Sequence, residues 1–286
     1  MKQELVRINS MDGIEQPGIL YIPNKATYKV VIHVHGLNGN FYENRFLDVL
    51  AKSYTDKGYS FLTFNNRGKD FISELVKGDD SVVIGGSLER FKDCILDIEG
   101  VINWVKQKGY KEITLEGHSY GCNKVLYYYN KKREECINKI VLLAPCDIPT
   151  EVKKFLSDEE YNKAKLESTS LVNARKENEL IDFSIMVNGK IAAGTYYNDF
   201  LPDGENDFIR YTKDINEKNE VLNNIDIPVL VIFGDVDECV LTQPIDKVKA
   251  YLNNHIKNCN VKIINGANHS YSNKYEELGK IINENF

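Results

Sequence analysis

The sequence predicts an α/β fold: a mostly parallel sheet flanked by helices, with an insertion after the sixth strand. Three observations carry that prediction. Runs such as Lys29 to His35 (KVVIHVH) and Val229 to Phe233 are continuously apolar rather than alternating, as strands buried on both faces must be. Longer stretches with apolar residues at helical spacing separate these runs, which suits crossovers between parallel strands. A glycine-rich turn at residues 117–121 joins one such run directly to one such stretch.

Each element follows in order. Leu5 to Asn9 and Gly18 to Ile22 form a leading antiparallel hairpin. Lys29 to His35 is a strand, followed by a glycine loop and a helix over Glu43 to Asp56, and Tyr59 to Phe64 is the next strand. Leu88 to Lys108 reads as one long amphipathic helix, because Phe91, Cys94, Ile95, Ile98, Val101, Ile102 and Val105 share a face. Glu112 to Glu116 is a strand, Tyr120 to Glu134 a helix and Lys139 to Ala144 a strand. The chain closes with strand Val229 to Phe233, a helix over Gln243 to Ile256, strand Asn260 to Ile264 and a helix from Tyr271.

The alternation breaks between Pro145 and Val229, where about eighty residues exceed any plain loop or single crossover. Charged helical segments (Asp158 to Lys176) occur there, and Asn188-Gly189 at the centre of Phe183 to Tyr197 signals a hairpin. Residues 1–149 and 229–286 are therefore expected to form the core, and residues 150–228 a cap over the strand ends.

Composition narrows the function classes. The 286 residues are 42% hydrophobic and 27% charged, the profile of an ordinary globular protein. A net charge of −6 gives no basis for binding nucleic acid. Apolar runs are too short to span a membrane, and MKQELVRINSMDG lacks the apolar stretch of a secretory signal, so a cytoplasmic location is expected. The six cysteines show no CxxC pair and no ligand-like spacing to a histidine, which predicts free thiols and no structural zinc. Oligomeric state is not legible, and a homodimer stays open.

The chemistry centres on Gly117-His118-Ser119-Tyr120-Gly121, between a strand and a helix. A turn this tight requires small flanking residues and lifts the serine hydroxyl clear of the sheet. Serine needs a base to become nucleophilic, and there are five histidines. His33 lies inside a strand, His35 braces a loop, His118 points away from the serine and His255 closes a surface helix. His269, in the loop after the last strand, is the expected base. The chain order nucleophile, acid, histidine favours Asp237 as its partner over Asp147. Asp235 is expected to bond amides of its own loop. The oxyanion of an acyl transition state would be held by the amides of Tyr120 and Leu37, the latter in the His35-Gly36-Leu37-Asn38-Gly39 loop. Arg67 is expected to brace its loop through neighbouring carbonyls rather than meet a substrate carboxylate. Cys122 reads as packing. Tyr196, Tyr197, Phe200 and Phe208 are candidates for a substrate pocket, or equally for a small core within the cap.

These motifs resemble the α/β-hydrolase superfamily from about Val30 to the C-terminus: the strand-HG loop, the GHSYG elbow, Gly234-Asp235-Val236-Asp237 and the late histidine. In that family the aspartate in the fourth position of G-D-x-D usually serves the histidine, which supports Asp237. The RGHG-x-S motif of the monoglyceride-lipase type is incomplete here, where Arg67-Gly68-Lys69-Asp70 stands. The resemblance implies a serine hydrolase of a carboxylic ester or related acyl bond in a small-molecule substrate, working without cofactor or metal. Thioester or amide hydrolysis, acyl transfer and carbon–carbon cleavage are alternatives on the same triad, and a receptor that retains the triad is the non-enzymatic rival.

Overall fold

A computed structural model describes residues 1–186, 188–239 and 243–286. β1 (Lys2–Asn9) and β2 (Glu15–Ile22) pair antiparallel as expected. β3 (Lys29–Val34), α1 (Phe46–Asp56) and β4 (Ser60–Phe64) follow, then a two-stranded hairpin of β5 (Ser73–Lys77) and β6 (Asp80–Ile84). Next come α2 (Cys94–Gln107), β7 (Glu112–His118), α3 (Tyr120–Lys132) and β8 (Ile137–Leu143). The long connection holds α4 (Ile148–Phe155), α5 (Asp158–Asn173), β9 (Leu180–Asp182), β10 (Lys190–Ala192), α6 (Ala193–Thr195), a π-helical turn (Tyr196–Phe200) and α7 (Glu220–Asn223). β11 (Val229–Gly234), α8 (Ile245–His255), β12 (Cys259–Ile264) and α9 (Tyr275–Asn285) complete the chain.

The main sheet runs β1-β2-β4-β3-β7-β8-β11-β12. Every pairing from β4 to β12 is parallel, and only β1 and β2 run against their neighbours. The continuous apolar runs have the predicted cause. Every residue of β4 and β11 is buried, because helices cover both faces. On one face Phe46, Leu50 and Tyr54 of α1 pack with Leu278 and Ile282 of α9 against Val31, Phe61 and Ile232. The opposite face receives α2, α3 and α8 through Ile98, Val101, Val125, Leu126, Val248 and Leu252. Ile181, Phe183, Tyr196 and Phe200 of the long connection join that same apolar cluster. No described helix is long and apolar enough to cross a membrane.

Two expectations need correction, and one element was not foreseen. The helix predicted from Leu88 begins only at Cys94, after a single 3-10 turn at Phe91–Asp93. The amides of Leu88 and Glu89 turn back to the Gly85 carbonyl, and the Glu89 side chain is drawn into the core by Lys124, so the stretch cannot wind onward. The hairpin around Gly189 exists, but its strands are Leu180–Asp182 and Lys190–Ala192, so Phe183 starts the loop. Gly189 takes φ 68° there, and the chain turns helical at Ala193. The β5–β6 hairpin was not anticipated. It closes between Lys77 and Asp80, with Gly78 at φ 63°.

Candidate active site

β7 delivers the chain into the elbow, and α3 takes it away at Tyr120. Ser119 sits between them at φ 55°, ψ −128°, backbone that a side-chain-bearing residue rarely adopts. Such strain persists only where the surroundings hold it in place. Here the Ser119 amide donates to the Leu143 carbonyl at 2.8 Å, and its own carbonyl accepts from Cys122 at 2.9 Å. A Cβ at Gly121 would drive into the Val34 carbonyl oxygen, so glycine is what lets α3 start against β3. The Cys122 thiol donates to the Gly117 and Leu143 carbonyls and packs, as expected.

The loop after β3 lies directly on the serine. A Cβ placed on Gly36 would come within 2.9 Å of Ser119 Cβ and 3.4 Å of Oγ. His35 braces this loop: its Nδ1–H donates to the Gly36 carbonyl at 2.8 Å, while Nε2 accepts the Asn66 amide at 3.1 Å. Those two bonds need the neutral ring. Full burial and the nearby Lys124 ammonium keep it neutral, pushing its pKa down to about 3. Leu37, the expected oxyanion donor, follows Gly36 and is half-buried.

The loops after β11 and β12 bring Asp237 and His269 together. His269 Nδ1 lies 3.0 and 3.1 Å from the two carboxylate oxygens of Asp237. Asp237 is buried and also accepts the Cys239 amide at 3.0 Å, whereas the His269 side chain is 15% exposed and open to solvent. Among the described residues Asp235 bonds across to another loop rather than within its own. Its Oδ1 accepts the Gly266 amide at 2.6 Å and so ties the two loops together. Asp147 faces Thr150 and Thr212 instead of His269. Burial and the nearby Asp207 raise its pKa to about 6.

Ser119 is half-buried. Among the described residues its Oγ neighbours the Cys146 thiol at 3.5 Å, and it forms no hydrogen bond to His269. His118 bridges the two parts of the site. Its Nε2–H donates to the His269 carbonyl at 2.9 Å, and the two rings pack 4.9 Å apart. Burial, reinforced by the neighbouring His269, holds His118 well below the usual histidine range. His33 is a core residue bonded to Glu116 at 2.7 Å, and Tyr54 caps the same carboxylate.

Among the described residues the Arg67 side chain bonds carboxylates rather than carbonyls. It is buried, and its guanidinium forks onto Asp97 with Asp12 and Asp93 around it, at 2.9, 2.8 and 3.5 Å. Three of the four aromatics expected as pocket candidates are buried. Tyr196 and Phe200 stack 6.3 Å apart, Phe200 stacks on Tyr120 at 6.2 Å, and Phe208 meets Phe91 at 6.1 Å, while Tyr197 is 36% exposed. Beneath Tyr120 runs an ion pair the sequence did not reveal: Lys124 Nζ sits 2.7 Å from Glu89, both fully buried. Cys146 and Cys239 were also missed as neighbours of the site.

Comparison with known proteins gives this arrangement a family. Residues 25–275 match the model of the serine aminopeptidase S33 family. An inferred non-heme chloroperoxidase of Synechocystis sp. is 27% identical, with 84% of each chain aligned. An inferred esterase/lipase of Mycoplasma genitalium is 23% identical, covering 97% of this chain and 94% of that one. Among solved structures, Est1E of Butyrivibrio proteoclasticus bound to ferulic acid superposes with a TM-score of 0.69 at 20% identity, over 98% of this chain and 96% of the other. A Pyrococcus furiosus esterase does so at 0.63 and 16% identity, over 99% and 90%. The structural likeness is one of fold, and the family match spans nearly every element from β3 to the start of α9; the chain is an α/β-hydrolase enzyme of the serine aminopeptidase S33 family.

Proposed function

We propose that this enzyme hydrolyses carboxylic esters through an acyl-enzyme on Ser119, with His269 as general base and Asp237 as its orienting acid. The observation that carries the reading is the pairing of His269 Nδ1 with both oxygens of buried Asp237, in a loop tied to the elbow by His118. That pairing fixes the proton on Nδ1 and leaves Nε2 free to accept one from the serine. In the resting enzyme the hydroxyl neighbours Cys146, and catalysis requires it to rotate toward His269; such contacts commonly tighten only with substrate bound. Attack on the ester carbonyl forms a tetrahedral oxyanion, which the Leu37 and Tyr120 amides receive. His269 then protonates the leaving alkoxide, and water resolves the acyl-enzyme by the same relay.

In this reading residues 150–228 act as a cap that shapes selectivity. Ferulic acid in the Butyrivibrio neighbour makes hydroxycinnamoyl esters the first substrates to try. A fluorophosphonate should label the protein once, at Ser119, and abolish turnover of p-nitrophenyl acetate. An ester panel with matched thioesters and amides then ranks the leaving groups. Labelling at another serine, or full activity in Ser119→Ala, would sink the proposal.

A further inference from the structure

The loops that form the His269–Asp237 pair place a third ligand-bearing side chain beside it. One potential ligand atom from each of Asp237, Cys239 and His269 lies within 4.8 Å of the others. The cysteine spacing in the sequence pointed away from metal, because Cys239 and His269 stand on different loops and meet only in the fold. Carboxylate, thiolate and imidazole together form a donor set that zinc and similar thiophilic cations prefer. Tetrahedral zinc, with ligands at about 2.0–2.3 Å, places its ligand atoms on the order of 3.5 Å apart, so small side-chain rotations would close this trio around an ion.

A buried carboxyl lies close by. Glu151 of α4 is nine-tenths buried, and among the described residues its Oε1 has no hydrogen-bond partner. Coordination by Cys239 would release its thiol proton. Among the described residues, His255 and Cys259 join no such cluster.

We propose that Asp237, Cys239 and His269 form a site for a thiophilic divalent cation, and that its occupation switches the hydrolase off. The switch rests on the triad reading above: the ion takes up the imidazole and carboxylate that activate Ser119. Binding exchanges the Cys239 S–H proton for the cation and releases that proton to water, while the imidazole proton passes from Nδ1 to Nε2 so that Nδ1 can ligate, with no change of oxidation state. Water completes the coordination.

The test uses full-length protein with Zn²⁺ and Co²⁺ as probes and Mg²⁺ as the oxygen-preferring control. Zn²⁺ should inhibit p-nitrophenyl acetate hydrolysis and EDTA should restore it, while Mg²⁺ has no effect. Cys239→Ser, and independently Cys239→Ala, should raise the half-inhibiting Zn²⁺ concentration at least about tenfold, each compared with its own metal-free rate. Binding is read separately in Ser119→Ala, which cannot turn over: Co²⁺ should give a thiolate-to-cobalt absorption band that disappears when Cys239→Ser is added. Cys146→Ser should leave the Zn²⁺ response unchanged. Absence of the cobalt band, equal inhibition of the Cys239 variants, or relief of inhibition by Cys146→Ser overturns the proposal. Persistent turnover in metal-free Ser119→Ala would instead overturn the triad reading, so the two failures are distinguishable.

Discussion

His118 donates from Nε2 to the main-chain carbonyl of His269 at 2.9 Å, so the residue preceding the nucleophile anchors the loop that carries the base. The contact joins β7 to the β12–α9 loop and sets how far the imidazole stands from the elbow. His118→Ala should lower kcat by about tenfold with little change in KM, because a misplaced base slows chemistry rather than binding. His118→Gln, which can still donate to the carbonyl, should recover part of the loss. Equal losses in both variants, or a loss confined to KM, would remove His118 from this positioning role.

Asp237→Asn should fold normally and lose about 10⁴ in rate, because an amide favours the wrong imidazole tautomer. Asp147→Asn should change the rate no more than a few-fold, since its carboxyl faces Thr150 and Thr212. Steady-state kinetics on one activated ester decides between them.

Asp147 also carries a stability prediction. Its folded pKa is raised from 3.8 to about 6, so the folded state holds the proton more tightly than the unfolded chain. That contribution is fully present below about pH 4 and is lost as pH rises through 6. Asp147→Asn keeps the polarity without the charge. It should therefore stabilise the protein at pH 8 by up to about 3 kcal/mol, and by roughly half as much at pH 5. Urea unfolding at the two pH values measures the difference. A variant less stable than wild type at pH 8 would contradict it.

Gly36→Ala places a methyl 2.9 Å from Ser119 Cβ and 3.4 Å from Oγ. Either the loop or the nucleophile must shift, and a displacement approaching 1 Å costs on the order of 100-fold in rate. The melting temperature should change far less than the rate. Wild-type kinetics in this variant would show that the loop relaxes freely.

Much of this was legible in the sequence, for local reasons. Strands such as Val229–Gly234 announce themselves because burial on both faces removes every polar position. The elbow shows because its geometry admits only small flanking residues. What escaped depends on residues distant in sequence. Arg67 takes its carboxylates from Asp12 in the first turn and from Asp93 and Asp97 at the start of α2, which no spacing rule joins. Glu89 is summoned by Lys124 on another helix and ends the helical reading that Leu88 began. The β5–β6 hairpin was readable: Gly78-Asp79 is a two-residue turn signal, but the arms leave Val76 and Val83 exposed and so lack the apolar weight that marked the other strands. Cys146 and Cys239 reach the site only through the crossing of separate loops.

The pairing of α1 with α9 has a consequence for biosynthesis. The face carrying Phe46, Leu50 and Tyr54 is made early, and the helix that shares its cover, with Leu278 and Ile282, is made almost last. At ribosomal speeds of about 5–20 residues per second, roughly ten to forty seconds separate the end of α1 from the start of α9. Throughout that interval one side of the nascent sheet lacks part of its covering layer, while the opposite side can already assemble around α2 and α3. Chaperone capture and aggregation should therefore act on the α1 side of the growing chain, and truncations that remove α9 should be recovered as insoluble protein rather than as a folded, inactive enzyme.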